Sequence, residues 1–131
     1  MKSDIDIKDD IYTFIKGSEL ENAVTGKLRK TRRPTNSKLE DIVISMVSNL
    51  NAQVQEAFVN VNIYVSDIIR DNQMEEDTIR LRELCDLSKT LLKVGRGGDF
   101  RFTIDTQRVL EVEGKDEHVI NNRLLYRQCN E

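Results

Sequence analysis

The chain has 131 residues, enough for one domain with a continuous core and too few for a core plus an independent second module. Charged residues make up 33% and apolar residues 38%, with 5% aromatic and no Trp, so the expected core is modest and aliphatic beneath a heavily solvated surface. The 20 basic and 23 acidic side chains leave a formal charge of −3, which argues against a general polyanion binder because phosphate neutralisation needs a basic excess.

The N-terminal residues 1–6 lack the apolar stretch of a signal peptide, and no apolar run approaches the roughly 20 residues of a membrane span. These residues are expected to fray, as are 128–131 at the other end. Beyond them Ile11, Phe14 and Ile15 recur at helical spacing until Gly17 interrupts. Ser18-Glu19-Leu20-Glu21 reads as a capping box opening a short helix that stops at Gly26.

Residues 27–38 contain the lone proline, Pro34, and a basic cluster of Lys27, Arg29, Lys30, Arg32 and Arg33. Proline holds Arg33 out of α geometry, so the segment is extended, with a short strand near Leu28, and runs into a loop. From Glu40 the period changes to two: Ile42, Ile44 and Met46 share one face, Val43 and Val47 the other. After a polar turn at 49–53, Ala57, Val59, Val61, Ile63 and Val65 alternate with Glu56, Phe58, Asn60, Asn62 and Tyr64. The two runs read as a hairpin with one face buried and the other mostly wet.

Residues 66–77 are polar and acidic. Leu81, Leu84, Cys85, Ser88, Leu91 and Leu92 then form one helical stripe, with Gly95 as the expected stop. The glycine run 95–98 leads into alternating Phe100, Phe102 and Ile104, followed by 109–113, a turn at 114–117 and a last strand at 119–127. The pattern predicts one α+β domain spanning 1–131, with a mostly antiparallel sheet, one long amphipathic helix on one face and a short N-terminal helical segment.

Candidate chemistry is sparse. His118, the sole histidine, lies beside a turn and reads as a surface residue, while Cys85 reads as a small hydrophobe in the helix stripe. With Cys129 it can build neither a disulfide framework nor a metal quartet, and a reducing cytoplasm suits both. The glycine run leaves a helix and enters a strand, the reverse of a phosphate-binding loop. The acidic pairs Asp9-Asp10, Glu75-Glu76 and Asp116-Glu117 lack converging metal-ligand spacing. No catalytic residue, cofactor or metal is expected. The features left for interaction are the basic cluster, which reads as a solvated segment pairing with acidic residues of a neighbouring subunit or as a nucleic-acid contact, and Phe58 and Tyr64 on the wet strand face.

The element order, with Arg33-Pro34 in an extended stretch, the alternating runs Glu40-Asp41-Ile42-Val43-Ile44 and Phe58-Val59-Asn60-Val61-Asn62-Ile63-Tyr64-Val65, then a helix and closing strands, resembles the tail-completion (tail-terminator) proteins of long-tailed phages over residues 11–127. The resemblance implies a non-enzymatic subunit forming a ring, commonly of six copies, on the tail tube. It would be made in a bacterial cytoplasm and carried in the virion, with tail-tube or head-connector proteins as partners. The alternative is a small nucleic-acid-associated module using the basic segment 27–33.

Overall fold

The computed structural model describes residues 1–129 and is α+β: three helices lie against a mostly antiparallel six-stranded sheet. In chain order the elements are α1 (Asp4–Ile15), α2 (Glu19–Ala23), β1 (Leu28–Arg29), β2 (Ile42–Leu50), β3 (Val54–Ser66), β4 (Ile68–Arg70), β5 (Gln73–Glu75), α3 (Thr78–Leu92), β6 (Val94–Arg96), β7 (Arg101–Glu111) and β8 (Glu117–Cys129). The sheet order is β1-β2-β3-β8-β7-β6, with β4 and β5 forming a separate two-stranded arm. Among the described residues only the β1–β2 pairing is parallel.

The N-terminal segment is held to the fold from residue 2. Ser3 caps α1: its hydroxyl accepts from the Asp6 amide, and the Asp6 carboxylate accepts from the Ser3 amide, both at 3.1 Å. The preceding residue is also fixed, because the Lys2 ammonium donates to Asp10 (2.5 Å) and Asp99 (2.8 Å) and lies 5.1 Å from the Phe100 ring centroid. At the other end, Gln128 lies within β8, which runs to Cys129. Residues 130 and 131 lie outside the described residues.

Helix α1 buries Ile7, Ile11 and Ile15, spaced at i, i+4, i+8 along one face. Gly17, at φ 77°, then breaks the chain before α2. Ser18 caps α2 as the sequence predicts, but Glu21 reaches the Gly17 amide (2.8 Å) rather than that of Ser18. α1 has 12 residues and α3 has 15, so two helices of comparable length replace the expected single long one.

The β2–β3 hairpin forms as its alternation predicts, with Ile42 opposite Ile63 and Ile44 opposite Val61. Along β3, every second residue from Ala57 to Val65 is buried beneath the helices. The last strand, β8, lies in the middle of the sheet, paired with β3 over 13 positions from Val54↔Cys129 to Ser66↔Glu117 and with β7 on its other side. Its helix-side residues Ile120, Leu124 and Tyr126 join Ile7, Ile11, Leu84 and Phe102 in one hydrophobic cluster.

Three local expectations change. Residues 66–77 contain the β4–β5 arm, turned by Asp71 (φ 52°) and Asn72 (φ 64°), a two-residue turn with both positions left-handed. The segments 100–104 and 109–113 belong largely to one strand, β7, whose register shifts between Ile104 and Thr106. Gly95 is not the helix stop: α3 ends at Leu92, and Gly95 sits in β6, where a Cβ would collide with the Phe102 ring and meet Phe14 at 2.8 Å. Among the described residues no helix is long and apolar enough to cross a membrane.

Candidate functional site

The basic cluster is mostly committed within its own chain. Arg33 donates from Nε to Asp41 (3.1 Å), from Nη1 to both Glu117 oxygens (3.0 and 2.9 Å), and from Nη2 to the carbonyls of Ser37 (3.0 Å) and Leu39 (2.7 Å). All of its guanidinium N–H groups are thereby matched. The cation also stacks 4.3 Å from the Tyr64 ring centroid. Lys30 pairs with Asp9 at 2.9 Å and Arg29 lies 3.7 Å from Asp41, so Lys27 and Arg32 are the exposed members with no ion pair among the described residues.

Asp41 is the centre of this knot, at 1% exposure. Burial alone would push its carboxyl up. Hydrogen bonds from Ser37 Oγ (2.6 Å), the Lys27 amide (2.9 Å) and Arg33 outweigh that burial and hold it below the usual carboxylate range. The acidic pairs are likewise occupied: Asp10 by Lys2 and Tyr126, Glu75 by Arg70, and Glu117 by Arg33.

His118 is not a free surface residue. Its Nδ1 lies 2.7 Å from Asp67 and its Nε2 3.7 Å from Glu76, with the side chain 16% exposed, so carboxylates flank both ring nitrogens. A cleft of about 440 Å³ opens beside this pair, lined in part by Thr35, Ser37, Ser66, Asp67 and Lys115. Cys85 packs against the core, and burial, with a smaller contribution from Asp86, pushes its thiol up, away from the thiolate a nucleophile needs. A second hollow of about 570 Å³ between α2 and α3 has Leu20, Leu87 and Leu91 as its apolar lining and Glu19, Glu83 and Asp86 as its acidic residues.

A broad feature available for contact is the sheet face opposite the helices. Phe58 and Tyr64 both lie there, half-buried, as the alternation of β3 requires. The face continues across β8 with Val119, Asn121, Arg123, Leu125 and Arg127, and across β7 with Thr103, Thr106, Arg108 and Leu110. Charges are interleaved with the apolar side chains: Arg123 covers Phe58 at 4.1 Å, and Arg127 pairs with Glu56 at 2.7 Å. Asn62 and Asn121 hydrogen-bond across the strands at 2.7 Å. Sequence reasoning located the β3 part of this surface and missed the β8 part, because only strand order reveals that β8 lies beside β3.

No protein-family model and no curated protein matches this sequence.

Proposed function

We propose that this chain is a non-enzymatic structural subunit that works by associating with copies of itself, as a tail-completion or head–tail connector protein of a phage or prophage. The observation that carries the reading is the distribution of layers: all three helices share one side of the sheet, leaving the face around Phe58, Val119 and Leu125 with no helix over it, and Arg33 and Arg123 laid on Tyr64 and Phe58. An antiparallel sheet tolerates one wet face, but this one sets Phe58, Tyr64, Val119, Leu125 and Leu110 among its polar side chains, and apolar area on a surface marks contact sites. The resemblance in element order gives the assembly its kind, a ring at the end of a tail tube.

The nucleic-acid alternative draws less support. Arg33 and Lys30 are engaged by carboxylates of the same chain, which leaves too few exposed cations in the 27–33 segment for a phosphate-tracking surface.

Sedimentation velocity over a range of concentrations tests the assembly reading. A discrete multimer is expected, with a ring outline in negative-stain images. A folded protein that stays monomeric throughout would overturn the reading.

A further inference from the structure

The sheet is left unfinished at both ends. β1 pairs only with Ile42 and Val43, so residues 44–50 of β2 have no strand outside them. β6 pairs only with 101–103 of β7, so residues 105–111 are equally bare. Hydrogen-bond alternation identifies the outward amides. Tyr64 N donates to Asp41 O and Ile42 N to Lys27 O, which turns Ile44 and Met46 outward. Val112 N donates to Glu117 O, which turns Glu111, Val109 and Gln107 outward. Monomeric proteins blunt such edges with charge or proline. Segment 45–50 of β2 carries neither, with Val47 and Leu50 exposed, whereas the β7 segment exposes Val109 and Leu110 beside the charges of Asp105, Arg108 and Glu111.

We infer that the free edge of β2 pairs with the free edge of β7 of a second copy, extending the sheet from subunit to subunit. This specifies a contact for the self-assembly proposed above and rests on that reading.

Three geometric facts select a second copy as the occupant. The free segments are of similar length. β2 and β7 also run in opposite directions, since β3, β8 and β7 follow β2 by three successive antiparallel pairings. A rotation about an axis roughly along the strands therefore brings them together antiparallel. Finally, the segments are staggered: Ser48 lies level with Leu125 of β8 through Phe58, whereas Val109 lies level with Ile120. Pairing Ser48 of one copy with Val109 of the next therefore shifts successive copies by about 16 Å along the strands for every four strand spacings, about 19 Å, a tilt of roughly 40°, the range at which tilted sheets close on themselves.

Charge agrees with this register. Antiparallel pairing carries the start of β2 and its β1 neighbour toward the 111–113 end of the other copy's β7, so exposed Lys27 and Arg32 approach exposed Glu111 and Glu113. The interface uses two different patches, so it is head-to-tail and can close into a ring.

The test is a mixing experiment. V47K/L50K places lysines on the β2 edge, and V109P removes one outward amide from β7; all three positions are exposed. Each variant should keep the wild-type far-UV circular dichroism yet sediment as a monomer. An equimolar mixture should give a heterodimer and nothing larger, because it contains one intact edge of each kind. Hydrogen exchange on the wild type supplies a check that needs no variant: the amides of Met46, Gln107 and Val109 should gain protection as the multimer forms. Multimers that survive both changes, or unprotected edge amides in the multimer, would overturn edge pairing while leaving self-assembly standing. Dissociation by only one of the two changes would indicate a two-fold contact instead. A wild type that is monomeric at every concentration would remove both proposals.

Discussion

Arg33 shows how much a single side chain can hold and how poorly sequence advertises it. It sits in a run of cations that reads as a solvated segment, yet one partner, Glu117, is 84 residues away and nothing local announces it. Arg33→Ala would leave Asp41 and Glu117 buried without their cation, at a cost of about 3–5 kcal/mol in chemical denaturation. Arg33→Lys should recover only part of it, because an ammonium cannot reproduce the planar fork. The depressed Asp41 carboxyl fixes the sign of the acid response: its contribution is present above the unfolded value, near 4, and is lost as pH falls through the lower folded value. Urea midpoints measured on either side of pH ~4 should therefore fall with acid more steeply for the wild type than for Asp41→Asn. Gly95 was visible as a glycine but misread as a helix stop, since the aromatic rings that exclude a Cβ arrive from Phe102 and Phe14. Gly95→Ala should destabilise the fold by about 1–3 kcal/mol in the same assay.

Elements whose residues face a single environment were legible. The strict alternation of β3 and the leucine stripe of α3 each report a buried face directly, and the structure places both as their periods require. Leu84→Ala, at a site with no solvent exposure, should cost about 2–5 kcal/mol. Harder to read was the polar pin beneath the helix. Gln107 donates to Asn122 Oδ1 (2.7 Å), to the Cys85 carbonyl (3.0 Å) and to Ser88 Oγ (3.1 Å), joining α3 to β7 and β8. In sequence these are scattered polar residues. Asn122→Ala should loosen that joint by about 1–3 kcal/mol and speed hydrogen exchange in α3, because it removes the shortest of the three Gln107 bonds and takes the Asn122 amide away from the buried Val61 carbonyl. The β4–β5 arm was missed although Asp71-Asn72 has left-handed turn chemistry, because three-residue strands carry too little periodicity to stand out in a polar stretch.

For the whole molecule, the α+β class and antiparallel sheet followed from the order of helical and alternating segments. Strand order did not, and the contact face depends on it. Leu125 belongs to that face only because β8 lies between β3 and β7. Leu125→Glu should leave the thermal midpoint nearly unchanged, and sedimentation then separates the two kinds of contact: it weakens association through the face and spares association through the strand edges alone. The basic segment calls for different tests by residue: charge reversal at Lys27 and Arg32 probes contacts between copies, whereas reversal at Arg33 dismantles the monomer. The position of β8 also bears on synthesis at the ribosome. The last described strand to be made is the one every other layer waits for: until it emerges, β3 and β7 have no common neighbour and the Arg33 cation lacks Glu117. Vectorial folding from the N-terminus must therefore stall at an open intermediate, and nascent chains interrupted before residue 117 should be targets for chaperones and proteases. The topology makes the closed core conditional on β8, whatever has folded before it.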